Sequence, residues 1–365
     1  MLDQIFADHA TVRRLRSGPL GPHLDSFAAH LAQRGYAAGS VRSRLALLGH
    51  LDQWLDRHRA RIADLSEKRV DQFLADWKRQ GRLHRGHAAT LHQLLAWLRT
   101  QGVVASPAPV IDASPLGQLQ QDYVQYLRVE RGLAPATVTS YCRVLRWLLA
   151  DRCGGGRLDL EALDVSTITT FVIRRASTMS CRYAKNLVTG LRSICRFLVQ
   201  RGAIDRNLAA GVPSVPDWRL ATIPKYLCPD EVERVLRACD RRTATGRRDY
   251  VILLLLARLG LRAGEIVALQ LDDLHWRMGE IVVRSSKRLP HDRLPLLAEV
   301  GSALAAYLRA DRPSDASRRV FLCMRAPRRG LRHPSSVSTI VRRALTRAGL
   351  SPALRGAHLF RHSLA

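Results

Sequence analysis

The chain lacks any apolar run long enough to span a bilayer. Its most apolar stretch, residues 251–257, falls far short of the roughly 18 residues a span needs. The N-terminus has no apolar core of a secretory signal, so the sequence predicts a cytoplasmic protein with no membrane partner. Seven cysteines (142, 153, 181, 195, 228, 239 and 323) form no Cys-x-x-Cys pair and no metal-binding spacing. That spacing offers no metal site and no disulfide framework, and it predicts reduced, mostly buried thiols. No glycine-rich phosphate loop of the Gly-x-x-x-x-Gly-Lys kind is present, which excludes chemistry driven by a bound nucleotide in that way. Acidic residues are scarce, with 31 Asp+Glu against 58 Lys+Arg and a net charge of +27. An excess of that size repels itself unless a polyanion neutralises it, so nucleic acid is the leading partner.

What is present is a globular chain of 365 residues with 47% hydrophobic residues, enough for two or three domains with their own cores. Residues 21–104 and 117–204 read as two copies of one unit. Phe27-x-x-x-Leu31, Arg34-Gly35-Tyr36, Ser40-Val41 and Leu47-Leu48-x-x-Leu51 match Tyr123-x-x-x-Leu127, Arg131-Gly132-Leu133, Thr137-Val138 and Val144-Leu145-x-x-Leu148. The offset reads as a steady 97 here and becomes 100 further on, where Asp64-Leu65-Ser66 pairs with Asp164-Val165-Ser166 and Gly102 with Gly202. Helical apolar spacing, Arg-Gly stops and Ser or Thr caps predict four or five short helices per copy. Proline-rich stretches around Pro107 and Pro109, and from Pro213 to Pro224, read as linkers.

The chemistry-bearing residues lie beyond the second linker. An apolar helix from Asp249 to Leu259 ends at Gly260, whose left-handed cap would swing Arg262 out of the core before Gly264-Glu265 opens the next helix. Arg262 then presents a planar fork to phosphate oxygens, with Glu265 placed to orient it. Residues 280–284 and 293–296 read as a hairpin whose loop carries Lys287 and a solvated His291. A basic loop from Arg325 to His333 leads into a helix bearing Arg342, Arg343 and Arg347, read as DNA-backbone contacts. Gly356-Ala357-His358-Leu359-Phe360-Arg361 then puts His358 and Arg361 three apart on one helix face. Two arginines, a lysine and a histidine without a carboxylate cluster suit a phosphodiester.

These residues, in this order, resemble the tyrosine recombinase (phage integrase) family over roughly residues 117–365. The resemblance implies a mainly α fold with a small antiparallel β-sheet in the C-terminal domain, namely two SAM-like helical domains followed by an incomplete catalytic domain. The boundaries expected are an N-terminal extension (1–20), a first SAM-like domain (21–104), a linker (105–116), a second SAM-like core-binding domain (117–211), a linker (212–224) and the catalytic domain (225–365). The second copy is the expected DNA clamp; the first adds an arm contact or mediates protein contacts. By the family's chemistry, Arg262 and Arg361 hold the scissile phosphate, His358 donates to it and Lys287 protonates the leaving 5′ oxygen. A tyrosine attacks to form a 3′-phosphotyrosyl link, which conserves bond energy, so the resemblance implies no metal, no nucleotide and no other cofactor.

Here the sequence departs from the family pattern, because no tyrosine follows Arg361 and no nucleophile is assigned; Ser363 has no base-and-acid pair to activate it. The expectation is a recombinase-family chain that binds double-stranded DNA and is cleavage-deficient as it stands. Its partners are expected to be further copies on DNA or full-length recombinase relatives. The competing reading is a non-enzymatic DNA-binding or regulatory protein that occupies recombination sites. Leu359, Phe360 and Leu364 are expected to form an apolar face left without packing partners.

Overall fold

The computed structural model describes residues 1–107, 112–152, 160, 163–216, 226–284 and 292–364. It is mainly helical, with one small antiparallel sheet, and the chain divides into two compact units. Met1–Ser106 joins Pro224–Ala365 in one, and Pro107–Ile223 forms the other. The described residues build three hydrophobic cores, within residues 2–104, 123–212 and 227–360.

The first core is made by α1 (Leu2–Ile5), α2 (His9–Ser17), α3 (Gly21–Gln33), α4 (Ala38–Arg57), α5 (Glu67–Arg79) and α6 (His87–Thr100). Residues 1–20 are part of it, since Leu2, Phe6, Val12, Leu15 and Leu20 are all buried there. Asp52, buried beneath them, accepts the Leu20 N–H at 2.6 Å and ties this segment to α4. The second core uses α7 (Pro115–Gln125), α8 (Pro135–Arg152), α9 (Val165–Ala176) and α10 (Cys181–Gln200). Each repeat copy thus has four helices, and α4 and α10 reach 20 residues each, longer than the short helices the pattern predicts.

The structure corrects the repeat register in two places. Phe27 and Leu31 match Tyr123 and Leu127 at an offset of 96, whereas Arg34-Gly35 matches Arg131-Gly132 at 97. The extra residue coincides with a π-helical turn at Tyr126–Glu130, the usual way a helix absorbs a one-residue insertion. Downstream, Ser66 and Asp164 are the equivalent N-caps, and Leu65, Val70 and Phe73 share burial with Leu163, Ile168 and Phe171. The pairing of Ser66 with Ser166 is therefore replaced by Ser66 with Asp164. Short polar strings align by identity, but burial is set by the apolar stripe.

The third core surrounds α12 (Ala244–Leu259), whose residues from Val251 to Leu256 are all at most 1% exposed. Packed about it are α11 (Pro229–Arg237), α13 (Ala263–Ala268), α14 (Ala298–Ala306), α15 (Pro334–Arg347) and α16 (His358–Leu364). A helix enclosed on all sides must be apolar all round, which explains its continuous leucine run. The sheet is β1 (Leu274–His275), β2 (Glu280–Val283) and β3 (Asp292–Pro295), in that order, with Leu274 opposite Ile281 and Ile281 opposite Leu294. Alternation puts Ile281 and Val283 into the core. Buried Asp273 grips Arg284 at 2.8 Å and fixes the end of β2. Among the described residues, no helix is long and apolar enough to cross a membrane.

Candidate active site

The site is assembled at the C-terminal end of α12. Gly260 takes φ 58° and ψ 26°, a conformation open to glycine at little cost, and its N–H closes on the Leu255 carbonyl. Leu261 turns back into the core, and Arg262 projects outward with its side chain 49% exposed. Arg262 is also the N-cap of α13, where Glu265 holds it twice. One carboxylate oxygen accepts the Arg262 backbone N–H at 2.7 Å, and the other pairs with Nη1 at 2.6 Å. Glu265 therefore fixes one end of the guanidinium, and the half-exposed side chain has further N–H donors that this pairing does not use.

Arg361 reaches the same turn from the other end of the sequence. Its Nη1 donates to the carbonyl of Gly260, two residues before Arg262. What carries it there is the packing of α16, for Leu359 and Phe360 are 1% and 0% exposed in the third core. This overturns the expectation of an unpartnered apolar face: Leu359 and Phe360 find their partners within the described residues, and only Leu364 is half-exposed. Ser363 has a structural place, accepting the Leu227 N–H at 2.8 Å and donating to the Leu359 carbonyl at 2.9 Å. His358 is exposed at the first turn of α16, one turn from His362 with ring centroids 6.4 Å apart. Lys287 and His291 lie outside the described residues; β2 and β3 flank them.

Arg342, Arg343 and Arg347 are elsewhere. They line a cleft of about 540 Å³ with Thr245, Asp249, Thr346 and Arg355. Asp249 lies in the second turn of α12, eleven residues before Gly260, or about 16 Å at the helical rise of 1.5 Å per residue. The fold thus brings Arg262, Glu265 and Arg361 together and sets the α15 arginines at the other end of the same helix. Sequence reasoning missed the Gly260 carbonyl as the seat for Arg361, because a backbone acceptor has no side-chain signature. It missed Arg355 because a lone loop arginine carries no periodicity. Among the described residues, no group of three or more His, Cys, Asp or Glu could hold a metal ion.

Two arginines meeting at one turn supply the kind of forked, charged donors that can grip a tetrahedral oxyanion and stabilise charge gathering on it. Comparison with known proteins shows which family the chain resembles. Residues 225–365 match the Phage integrase family model. The chain is 39% identical over 362 residues to "Putative integrase/recombinase y4rA" of Sinorhizobium fredii, covering 99% of this chain and 87% of that protein. It is 30% identical over 200 residues to "Tyrosine recombinase XerD" of Listeria monocytogenes, covering 54% of this chain and 66% of that one. A lambda integrase dimer bound to a COC′ core site shares the fold, with a TM-score of 0.52 at 17% identity, over 68% of this chain and 87% of that chain. With relatives matched along its whole length and this fold around the arginine pair, the chain belongs to the tyrosine recombinase, or phage integrase, family.

Proposed function

We propose that the chain acts in site-specific DNA recombination, with Arg262 and Arg361 as the two forks on one scissile phosphodiester. The observation that supports this most is the seating of Arg361 on the Gly260 carbonyl, 101 residues away in the chain and two residues before Arg262. Glu265 is the positioning residue for Arg262. His358 is the further donor at the start of α16, and Lys287 is the general acid for the 5′ oxygen. The α15 arginines contact the DNA backbone away from the reacting phosphate. The first and second helical copies are two SAM-like domains, the second serving as the clamp. The protein works in the cytoplasm, as copies assembled on DNA or beside longer recombinase relatives.

The attacking group in this reading is a tyrosine that these 365 residues do not supply. Of the tyrosines in the catalytic segment, Tyr307 is buried and Tyr250 hydrogen-bonds to Glu299 at 3.3 Å. Tyr226 is exposed beside Leu227, but it lies before Arg262 in the chain, out of the family's order. Taken alone, the 365 residues therefore occupy a recombination site without cutting it. A suicide substrate carrying a nick beside the scissile phosphate tests this. The expected result is a retarded, non-covalent complex, and any covalent protein–DNA adduct overturns it.

A further inference from the structure

One corner of the first helical repeat holds a side chain from the catalytic segment. Arg34-Gly35-Tyr36 closes α3, with Gly35 at φ 82°. The Arg34 carbonyl accepts the backbone N–H of Arg328 at 2.8 Å. A Cβ at Gly35 would lie 2.5 Å from both Cδ and Nε of Arg328, so the arginine stem occupies space that only glycine leaves. Arg328 Nε is buried there with no hydrogen-bond partner. Both partners belong to the same compact unit. The equivalent corner of the second repeat, Arg131-Gly132-Leu133, has the same turn, with Gly132 at φ 55°, yet nothing lies within 4 Å of its Cβ position. Ending the helix explains both glycines, but only Gly35 is also a seat.

Arg328 sits in a loop closed by Cys323 N–H to the Arg329 carbonyl at 2.8 Å and Leu331 N–H to the Phe321 carbonyl at 3.0 Å. The segment carries Arg325, Arg328, Arg329, Arg332 and His333, and runs directly into α15. The first residue of α15, Pro334, approaches Gly264 of α13, beside Arg262.

We propose that the first helical repeat is an intramolecular latch on this basic loop. Docked, it withholds Arg328 from DNA phosphate; released, Arg328 can meet a phosphate. The latch rests on the DNA-binding reading above. Docking leaves a buried guanidinium N–H unpaired, and a phosphate oxygen supplies the missing acceptor. A ligand that binds the released loop better than the docked one shifts the population toward release.

The test combines Gly35→Ala, Arg328→Ala, the double variant and Gly132→Ala in the full chain. Tryptic cleavage after the exposed Arg329 reads docking without DNA. Gly35→Ala is expected to speed it severalfold, Gly132→Ala to change it far less, and Gly35→Ala to add much less once Arg328 is alanine, only the backbone strain at φ 82° remaining. Should Gly35→Ala fail to fold, Arg328→Ala alone is still expected to speed cleavage. DNA affinity reads the latch: Gly35→Ala is expected to tighten binding severalfold over Gly132→Ala, and Arg328→Ala to abolish the gain. Unchanged cleavage, an equal effect in both Arg328 backgrounds, or faster cleavage without tighter binding overturns the latch. Failure of every variant to bind DNA instead overturns the DNA reading, while the cleavage cycle still reports the docking.

Discussion

Two groups of arginines stand at opposite ends of α12, and their surroundings differ. Arg262 and Arg361 are held, one by the Glu265 carboxylate and the other by the Gly260 carbonyl. Arg342, Arg343 and Arg347 are exposed on α15, and Arg343 and Arg347 form no ion pair among the described residues. A held guanidinium is preorganised and loses little freedom on meeting an oxyanion, so its effect is directional. A loose one contributes mainly charge, which is screened by salt and adds with its neighbours. On the proposed function, the difference separates holding one phosphate from following a backbone.

The largest effect should come from removing the packing that delivers Arg361. Phe360→Ala deletes a fully buried ring and is expected to cost about 3–5 kcal/mol in urea unfolding. A loss near zero would mean that α16 is not anchored and that the held group does not exist as such. Next, Arg361→Ala should weaken binding to a cognate duplex by roughly 1.5–3 kcal/mol, the scale of a charged hydrogen bond. Arg361→Lys should not restore it, since an ammonium lacks the fork. If any single α15 arginine matched that loss in fluorescence anisotropy, the contrast would collapse.

The α15 group should reveal itself through salt instead. Replacing Arg342, Arg343 and Arg347 together by alanine is expected to flatten the plot of log affinity against log salt by roughly 2–3 units. The change should be the same on unrelated DNA sequences; a sequence-dependent change would make these base-reading residues.

The smallest effect concerns pH. Near the N-terminal end of α12, the Arg247 guanidinium holds the Asp311 carboxyl below its ordinary 3.8. That contribution to stability is present above 3.8 and is lost as pH falls through the lower folded value. Asp52 in the first core behaves oppositely: burial raises its carboxyl above 3.8, so its ionisation weakens the fold as pH rises through that window. Urea midpoints between pH 3 and pH 5 should therefore fall less steeply on acidification for Asp311→Asn and more steeply for Asp52→Asn.

Much of the fold was legible from local patterns. The α12 helix, its Gly260 stop and the outward Arg262 follow from an apolar run, a left-handed glycine and a three-residue turn. The equivalent positions in the two repeats show matching burial, as Leu91, Leu94 and Leu98 do with Leu191, Ile194 and Leu198. Less legible were features that depend on distant neighbours. Nothing near Leu359 or Phe360 in the sequence shows that their partners are already present, and nothing near Gly35 foretells Arg328.

By itself, the sequence determined the charge that calls for a polyanion, the helical repeat and the order of phosphate-binding residue types from Arg262 to Arg361. These depend on composition and short-range spacing, which the chain carries wherever it folds. Only the tertiary structure decided which arginines lie near one another. Arg361 joins Arg262 because the core buries Phe360 and so sets α16 against the Gly260 turn. The α15 arginines, nearer to Arg361 in sequence, stand apart because α12 runs about 16 Å between them.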